Sequence, residues 1–118
     1  MKTVLQIEFS PSLLAERAAV LERNGYRVIS ALGSADARTL EVLDPSIGVV
    51  VIGHRAPWLE RDGLVAHFRE VLPGVPIVAL LRSNDDPLAS ADFNCPADNP
   101  PLWERTVAQA LERTERLH

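Results

Sequence analysis

The chain has 118 residues, of which 47% are hydrophobic and 24% charged, and its formal net charge is −4. That length fits one compact domain with a core of its own, without metal or disulfide staples, and the balance of apolar to charged residues excludes a disordered chain. No apolar run approaches the ~20 residues needed to span a bilayer. A pI near 5.3 argues against a general nucleic-acid-binding surface.

The N-terminal MKTVLQIEFS has one basic residue, a short apolar patch and then Glu8, which is not a signal-peptide pattern. The single cysteine, Cys95, can form neither an internal disulfide nor a Cys-based zinc site. Both features point to a cytoplasmic protein.

Val4 to Ile7 reads as a first strand. Ser10-Pro11 then forms an N-cap and first-turn pair, and Leu13, Leu14, Ala18 and Leu21 recur at helical spacing until Gly25 ends the helix. Tyr26 to Ala31 carries a second strand. Ser34 is expected to cap a short helix running through Leu40 and Leu43, which Pro45 breaks. Ile47 to Ile52 is the strongest strand, β-branched and apolar on both faces, as a central parallel strand covered by helices must be. A loop holding Pro57, Trp58 and Gly63 is expected to lead into a third helix with Leu64, Phe68, Val71 and Leu72. Ile77 to Leu81 is a fourth strand, and Asp92 to Cys95 a weaker fifth. Asn99-Pro100-Pro101 opens a last helix with Leu102, Val107, Ala110, Leu111 and Leu117 along one side.

Strands at intervals of roughly 20 to 30 residues, alternating with helices, imply a parallel sheet with right-handed crossovers. Five strands favour a flavodoxin-like, doubly wound α/β sheet of order 2-1-3-4-5. One crossover is anomalous. Only 13 residues separate Leu81 from Cys95, with Pro87 between them, so its helix is expected to be shortened or missing.

In such folds the site lies beyond the carboxyl ends of the strands. The residues there are Glu8 and Phe9, then Gly53, His54 and Arg55, then Leu81, Arg82 and Ser83, then Cys95 and Pro96. Several segments resemble the response-regulator receiver domain. Residues 4–11, VLQIEFSP, resemble its V-L-x-V-D-D-x-P opening, and residues 21–28, LERNGYRV, its L-x-x-x-G-Y-x-V segment. The third strand with Pro57 resembles the acceptor strand and the proline four residues beyond it. Asp62-Gly63, Val75-Pro76-Ile77-Val78 and Cys95-Pro96 with Leu102 resemble later family segments in the right order. The resemblance covers nearly the whole chain and implies a receiver-like domain, residues 1–118, with no output domain attached.

The family's chemistry is phosphoryl transfer to an aspartate beside a magnesium ion and a lysine. Matched position by position, the acceptor is Gly53 and the strand-1 acidic pair is Glu8 and Phe9. The hydroxyl position is Leu81 and the lysine position is Cys95. A hard divalent cation wants several oxygen ligands, which Glu8 alone does not supply. The resemblance thus implies a degenerate receiver that takes no phosphate and holds neither metal nor cofactor. Asp62 is weighed as a substitute acceptor and read instead as a helix cap. Phe9 and Leu81 imply a drier, apolar pocket floor in which packing replaces charge.

Glu8, His54 and Cys95 form an alternative edge, suited to an activated thiolate or a ligand or metal site. The plainer reading, a packed thiol and a surface imidazole, is preferred, since apolar neighbours raise a thiol's pKa. The family's K-P bond is usually cis, which implies a cis Cys95–Pro96 bond. Trp58 is read as a cover over the hollow left by Gly53, or else as a partner anchor. Trp103 is read as a partly exposed ring suited to a dimer patch. Arg55, Arg61 and Arg82 are read as a solvated rim.

Two functions are weighed. The first is an interaction module in a two-component-type pathway, working through a protein partner or as a homodimer, without nucleic acid or membrane. The second is a small enzyme or ligand-binding domain using Glu8, His54 and Cys95. No glycine-rich phosphate loop follows the first strand, and no Ser-His-Asp or paired-carboxylate pattern is visible, which weakens the second.

Overall fold

The computed structural model describes residues 2–40 and 44–116, with side chains through residue 114. Five strands form one parallel sheet: β1 (Thr3–Glu8), β2 (Arg27–Leu32), β3 (Ile47–Ile52), β4 (Ile77–Leu81) and β5 (Phe93–Pro96). Their order is β2-β1-β3-β4-β5, as the periodicity predicts. Three helices connect them, α1 (Pro11–Arg23), α2 (Gly33–Arg38) and α3 (Trp58–Val71), and α4 (Pro100–Arg116) follows β5. Among the described residues no helix is long and apolar enough to cross a membrane.

The sheet has a core on each face. Leu5, Ile7, Val50 and Ile52 point to the side covered by α2 and α3, where they meet Ala37, Leu64, Val65 and Phe68. Val4, Val49, Val51, Val78 and Leu80 point to the other side and meet Leu21 of α1 and Trp103, Val107, Ala110 and Leu111 of α4. Every residue of β1 and β3 is buried, which explains the unbroken apolar pattern of β3, while β1 carries Thr3, Gln6 and Glu8 as buried polar residues.

The crossover from β4 to β5 contains no helix. Its Leu88 plugs the α3-side core and is wholly buried. Asn94 on β5 clamps that turn through both main-chain groups of Leu88: its Oδ1 accepts from Leu88 N at 2.9 Å, and its Nδ2 donates to Leu88 O at 3.0 Å. Side-chain amide pairing thus supplies what helical hydrogen bonding would have satisfied.

Several local expectations are corrected. Helix α3 begins at Trp58, well before Gly63, so Trp58 opens a helix and does not lie in a loop. Asp62 is consequently the fifth residue of that helix and caps nothing. It accepts a hydrogen bond from Ser90 Oγ at 2.6 Å. Helix α2 opens at Gly33, whose φ of 85° suits glycine, and Ser34 instead donates its hydroxyl to Glu60 of α3. Leu43 and Leu117 lie outside the described residues.

The Cys95–Pro96 bond is trans. Pro96 continues β5 in register with Leu81, and Ala97 N donates to Leu81 O at 2.8 Å, so the chain runs straight through the proline. Trp103 is 2% exposed and belongs to the core. It shares the α4 stripe of Val107, Ala110 and Leu111, one position out of phase with the expected Leu102.

Candidate functional site

The carboxyl ends of β1 and β3 lie side by side, with Ile7 opposite Ile52. Gly53 follows β3, and its N–H donates to Ile7 O at 2.8 Å. This pairing brings the backbone of residue 53 against the last side chain of β1, Glu8, which is fully buried. A Cβ placed on Gly53 would lie within 2.5 Å of all three atoms of the Glu8 carboxylate. The Glu8 carboxylate therefore occupies the space into which any side chain at position 53 would project. Any side chain there would push the buried Glu8 carboxylate aside, so close approach, not backbone conformation, favours glycine.

Glu8 is paired with Arg17 of α1, whose Nη1 donates to Oε1. Arg17 is itself buried. Its other terminal nitrogen, Nη2, lies 3.3 Å from His54 Nδ1. The guanidinium thus bridges a carboxylate on β1 and an imidazole beyond β3. Burial pushes the Glu8 carboxyl up from its ordinary value, while the charge and hydrogen bond of Arg17 pull it back. Among the described residues Glu8 Oε2 has no hydrogen-bond partner. His54 is held down at about 4, first by burial and then by Arg17, Arg82 and Arg55. At neutral pH it is an uncharged ring.

The remaining predicted positions fall around this pair. Phe9 packs against the α3-side core. Leu81 closes β4 and lines a hollow of about 450 Å³ together with Leu13, Arg17, His54 and Arg82. Cys95 is buried among Val78, Leu80 and Trp103, and burial raises its thiol pKa against the opposing effect of Thr106. Among the described residues, no hydrogen bond of the Glu8–Arg17–His54 chain reaches it. The expectation of a dry, apolar floor is corrected by the buried ion pair of Glu8 and Arg17.

A magnesium ion is the group this fold implies, and the residues do not fit one. One carboxylate faces the site, a guanidinium already neutralises it, and Phe9 and Gly53 offer no oxygen side chain. Among the described residues no three His, Cys, Asp or Glu side chains gather to hold a metal ion. Of the Glu8, His54 and Cys95 edge, the first two are bridged by the cation of Arg17.

A second hollow, about 510 Å³, lies between the start of α3 and the β4–β5 loop. His54, Arg55, Pro57, Trp58, Arg61 and Arg82 line it, opposite Asp85 and Asp86. Trp58 is 44% exposed on its wall. Arg61 corrects the solvated-rim expectation, since it is only 2% exposed. Its Nε donates to Ala56 O at 3.0 Å, and Nη2 lies 3.8 Å from Asp85.

Arg17 escapes a motif-based reading, and the burial of Arg61 escapes it too. Both carry a detectable signal. Arg17 falls between Leu13 and Leu21 on the inward stripe of α1, and Arg61 precedes Leu64, Val65 and Phe68 on that of α3. A charge at a core position of an amphipathic helix marks a buried partner.

No known family profile matches the sequence, and no curated protein matches it. Solved structures do match. A response-regulator receiver domain from Clostridium thermocellum superposes with a TM-score of 0.87 at 19% identity, with both chains covered in full. A CheY-like receiver domain from Methanospirillum hungatei JF-1 gives 0.80 at 17% identity, covering 100% of this chain and 99% of that one. The response regulator TrrA of Thermotoga maritima, solved in complex with Mg2+-BeF, gives 0.78 at 17% identity, covering 93% of this chain and 99% of that one. This chain therefore has the fold of response-regulator receiver domains.

Proposed function

We propose that the chain is a receiver-like signalling domain that takes no phosphoryl group at the strand-3 position and acts through protein–protein contacts in a two-component-type pathway. The observation that carries this reading is the Glu8 carboxylate seated over Gly53. A phosphorylatable receiver needs a free carboxylate at that place with a metal beside it. Here the position has no side chain, and its space is filled from β1. The nearest carboxylate is engaged by Arg17 and buried. The ion pair is a fixed internal substitute for the charge that phosphate and metal would bring and remove.

On this reading the domain works in the cytoplasm, and its output is set by its abundance, its partner or a bound ligand. Incubation with acetyl phosphate and Mg2+, followed by intact-mass measurement, is expected to leave the mass unchanged. A mass increase of one phosphoryl group that hydroxylamine removes would overturn the reading.

A further inference from the structure

The hollow between α3 and the β4–β5 loop is not part of the Glu8–Arg17 pair, although His54 borders both. Arg55, Arg61 and Arg82 line its wall. Arg61 is buried, and among the described residues its Nη1 has no hydrogen-bond partner. A buried guanidinium nitrogen without an acceptor is costly and rare in a folded protein. The one carboxylate near Arg61 is Asp85, and at 3.8 Å from Nη2 it is too far for a hydrogen bond. Asp85 Oδ2 is instead held by the backbone N–H of Arg82 at 2.8 Å.

The same wall is the start of α3, a helix of 14 residues. Its N-cap residue is Pro57, which makes no side-chain cap hydrogen bond. The start of α3 thus lies beside the hollow with no side-chain cap, Glu60 being the acidic residue of its first turn, and a helix start attracts negative charge. Trp58 adds a flat apolar wall, half-exposed, beside these donors. Three arginines against Asp85 and Asp86 leave the lining net cationic, with His54 uncharged at neutral pH.

We propose that this hollow is a non-covalent site for a small phosphate monoester, with Arg61, Arg55 and Arg82 holding the phosphate and Trp58 the organic part. Arginine forks match phosphate oxygens in pairs, and a phosphate anion in the hollow compensates the charge of Arg61, whose carboxylate partner Asp85 stands 3.8 Å away. The volume of about 510 Å³ is that of an ordinary small-molecule site. The proposal goes beyond the function proposed above and does not rest on it. A bound ester needs neither an acceptor at position 53 nor a metal, and it gives a ligand-set domain its ligand class.

Isothermal titration calorimetry with AMP, adenosine and inorganic phosphate tests it on the full chain. AMP is the probe because it joins a phosphate monoester to a flat ring. Saturable binding of AMP, competition by inorganic phosphate and no binding of adenosine are expected. Arg55 and Arg82 are exposed, so R55Q/R82Q keeps the fold and is expected to weaken AMP at least tenfold. Trp58→Ala is expected to weaken AMP while leaving inorganic phosphate unchanged. The proposal is overturned by an absence of AMP binding, by adenosine binding as well as AMP, or by R55Q/R82Q binding AMP as the parent does. Failure here leaves the acetyl phosphate result untouched, so the two readings fall separately.

Discussion

Replacing Gly53 by alanine adds one methyl group against a buried carboxylate. All three carboxylate atoms of Glu8 lie within 2.5 Å of where that methyl would stand, whereas non-bonded heavy atoms settle near 3.5 Å. The carboxylate must retreat by about 1 Å, away from its fixed contact with Arg17. Overpacking of this kind costs about 1–3 kcal/mol, and full loss of a buried ion pair about 3–5 kcal/mol. Gly53→Ala is therefore expected to destabilise by about 3 kcal/mol, a fall in Tm of roughly 10 °C for a chain of this size.

The decisive experiment repeats the substitution on a Glu8→Ala background. There the obstacle is gone, and Gly53 has no positive φ that alanine would strain. Alanine then only restricts the unfolded chain, which is worth about 0.4–1 kcal/mol of stabilisation. Urea denaturation followed by circular dichroism measures all four proteins. The expected outcome is a change of sign, destabilising with Glu8 present and neutral or stabilising without it. Equal destabilisation on both backgrounds would show that the carboxylate does not fill the space over Gly53.

Other consequences concern the neighbours. Arg17→Met leaves Glu8 buried without its cation and is expected to cost about 3–5 kcal/mol at pH 7, with much of that recovered in Glu8→Gln/Arg17→Met, as urea midpoints would show. His54 titrates at about 4 in the folded chain against 6.5 when free. Its neutral form favours folding, so its contribution is complete above pH 6.5 and is lost as pH falls towards 4. A Tm profile for His54→Gln should be flatter across that window, and an unchanged slope would contradict the assignment. Asn94→Ala leaves Leu88 N without its acceptor, while Leu88 O keeps the Ala91 N–H, and is expected to destabilise by about 1–3 kcal/mol, read from the urea midpoint. Iodoacetamide should label Cys95 far more slowly than a free thiol at pH 7 and at the free rate once urea unfolds the chain.

Strand order and layering were legible because β3 and β4 are covered on both faces and read as continuous apolar runs, with Val4, Leu5 and Ile7 marking β1 beside its buried polar residues. The missing helix was legible from loop length alone. The altered site was half legible. Gly53, Phe9, Leu81 and Cys95 show what the site lacks, but not what took its place. Arg17 sits in a stretch that scores as an ordinary helix, and its burial depends on Glu8, nine residues away on another element. Trp103 was misplaced because a one-residue phase error on a helix turns a side chain by about 100°. The trans bond at Pro96 depends on its pairing with Leu81, a tertiary contact that the Cys-Pro dipeptide does not encode. The burial of Arg61 follows from the early start of α3, where Pro57 and Trp58 read locally as a loop.

The guanidinium of Arg17 closes the Glu8 carboxylate and leaves no place for a divalent cation beside Gly53. Titration of the 15N-labelled protein with MgCl2 tests it most directly, with NaCl at matched ionic strength as the control. The backbone resonances of Glu8, Phe9, Gly53 and His54 are predicted to stay where the control leaves them. A saturable, Mg2+-specific shift centred on those residues would contradict the account.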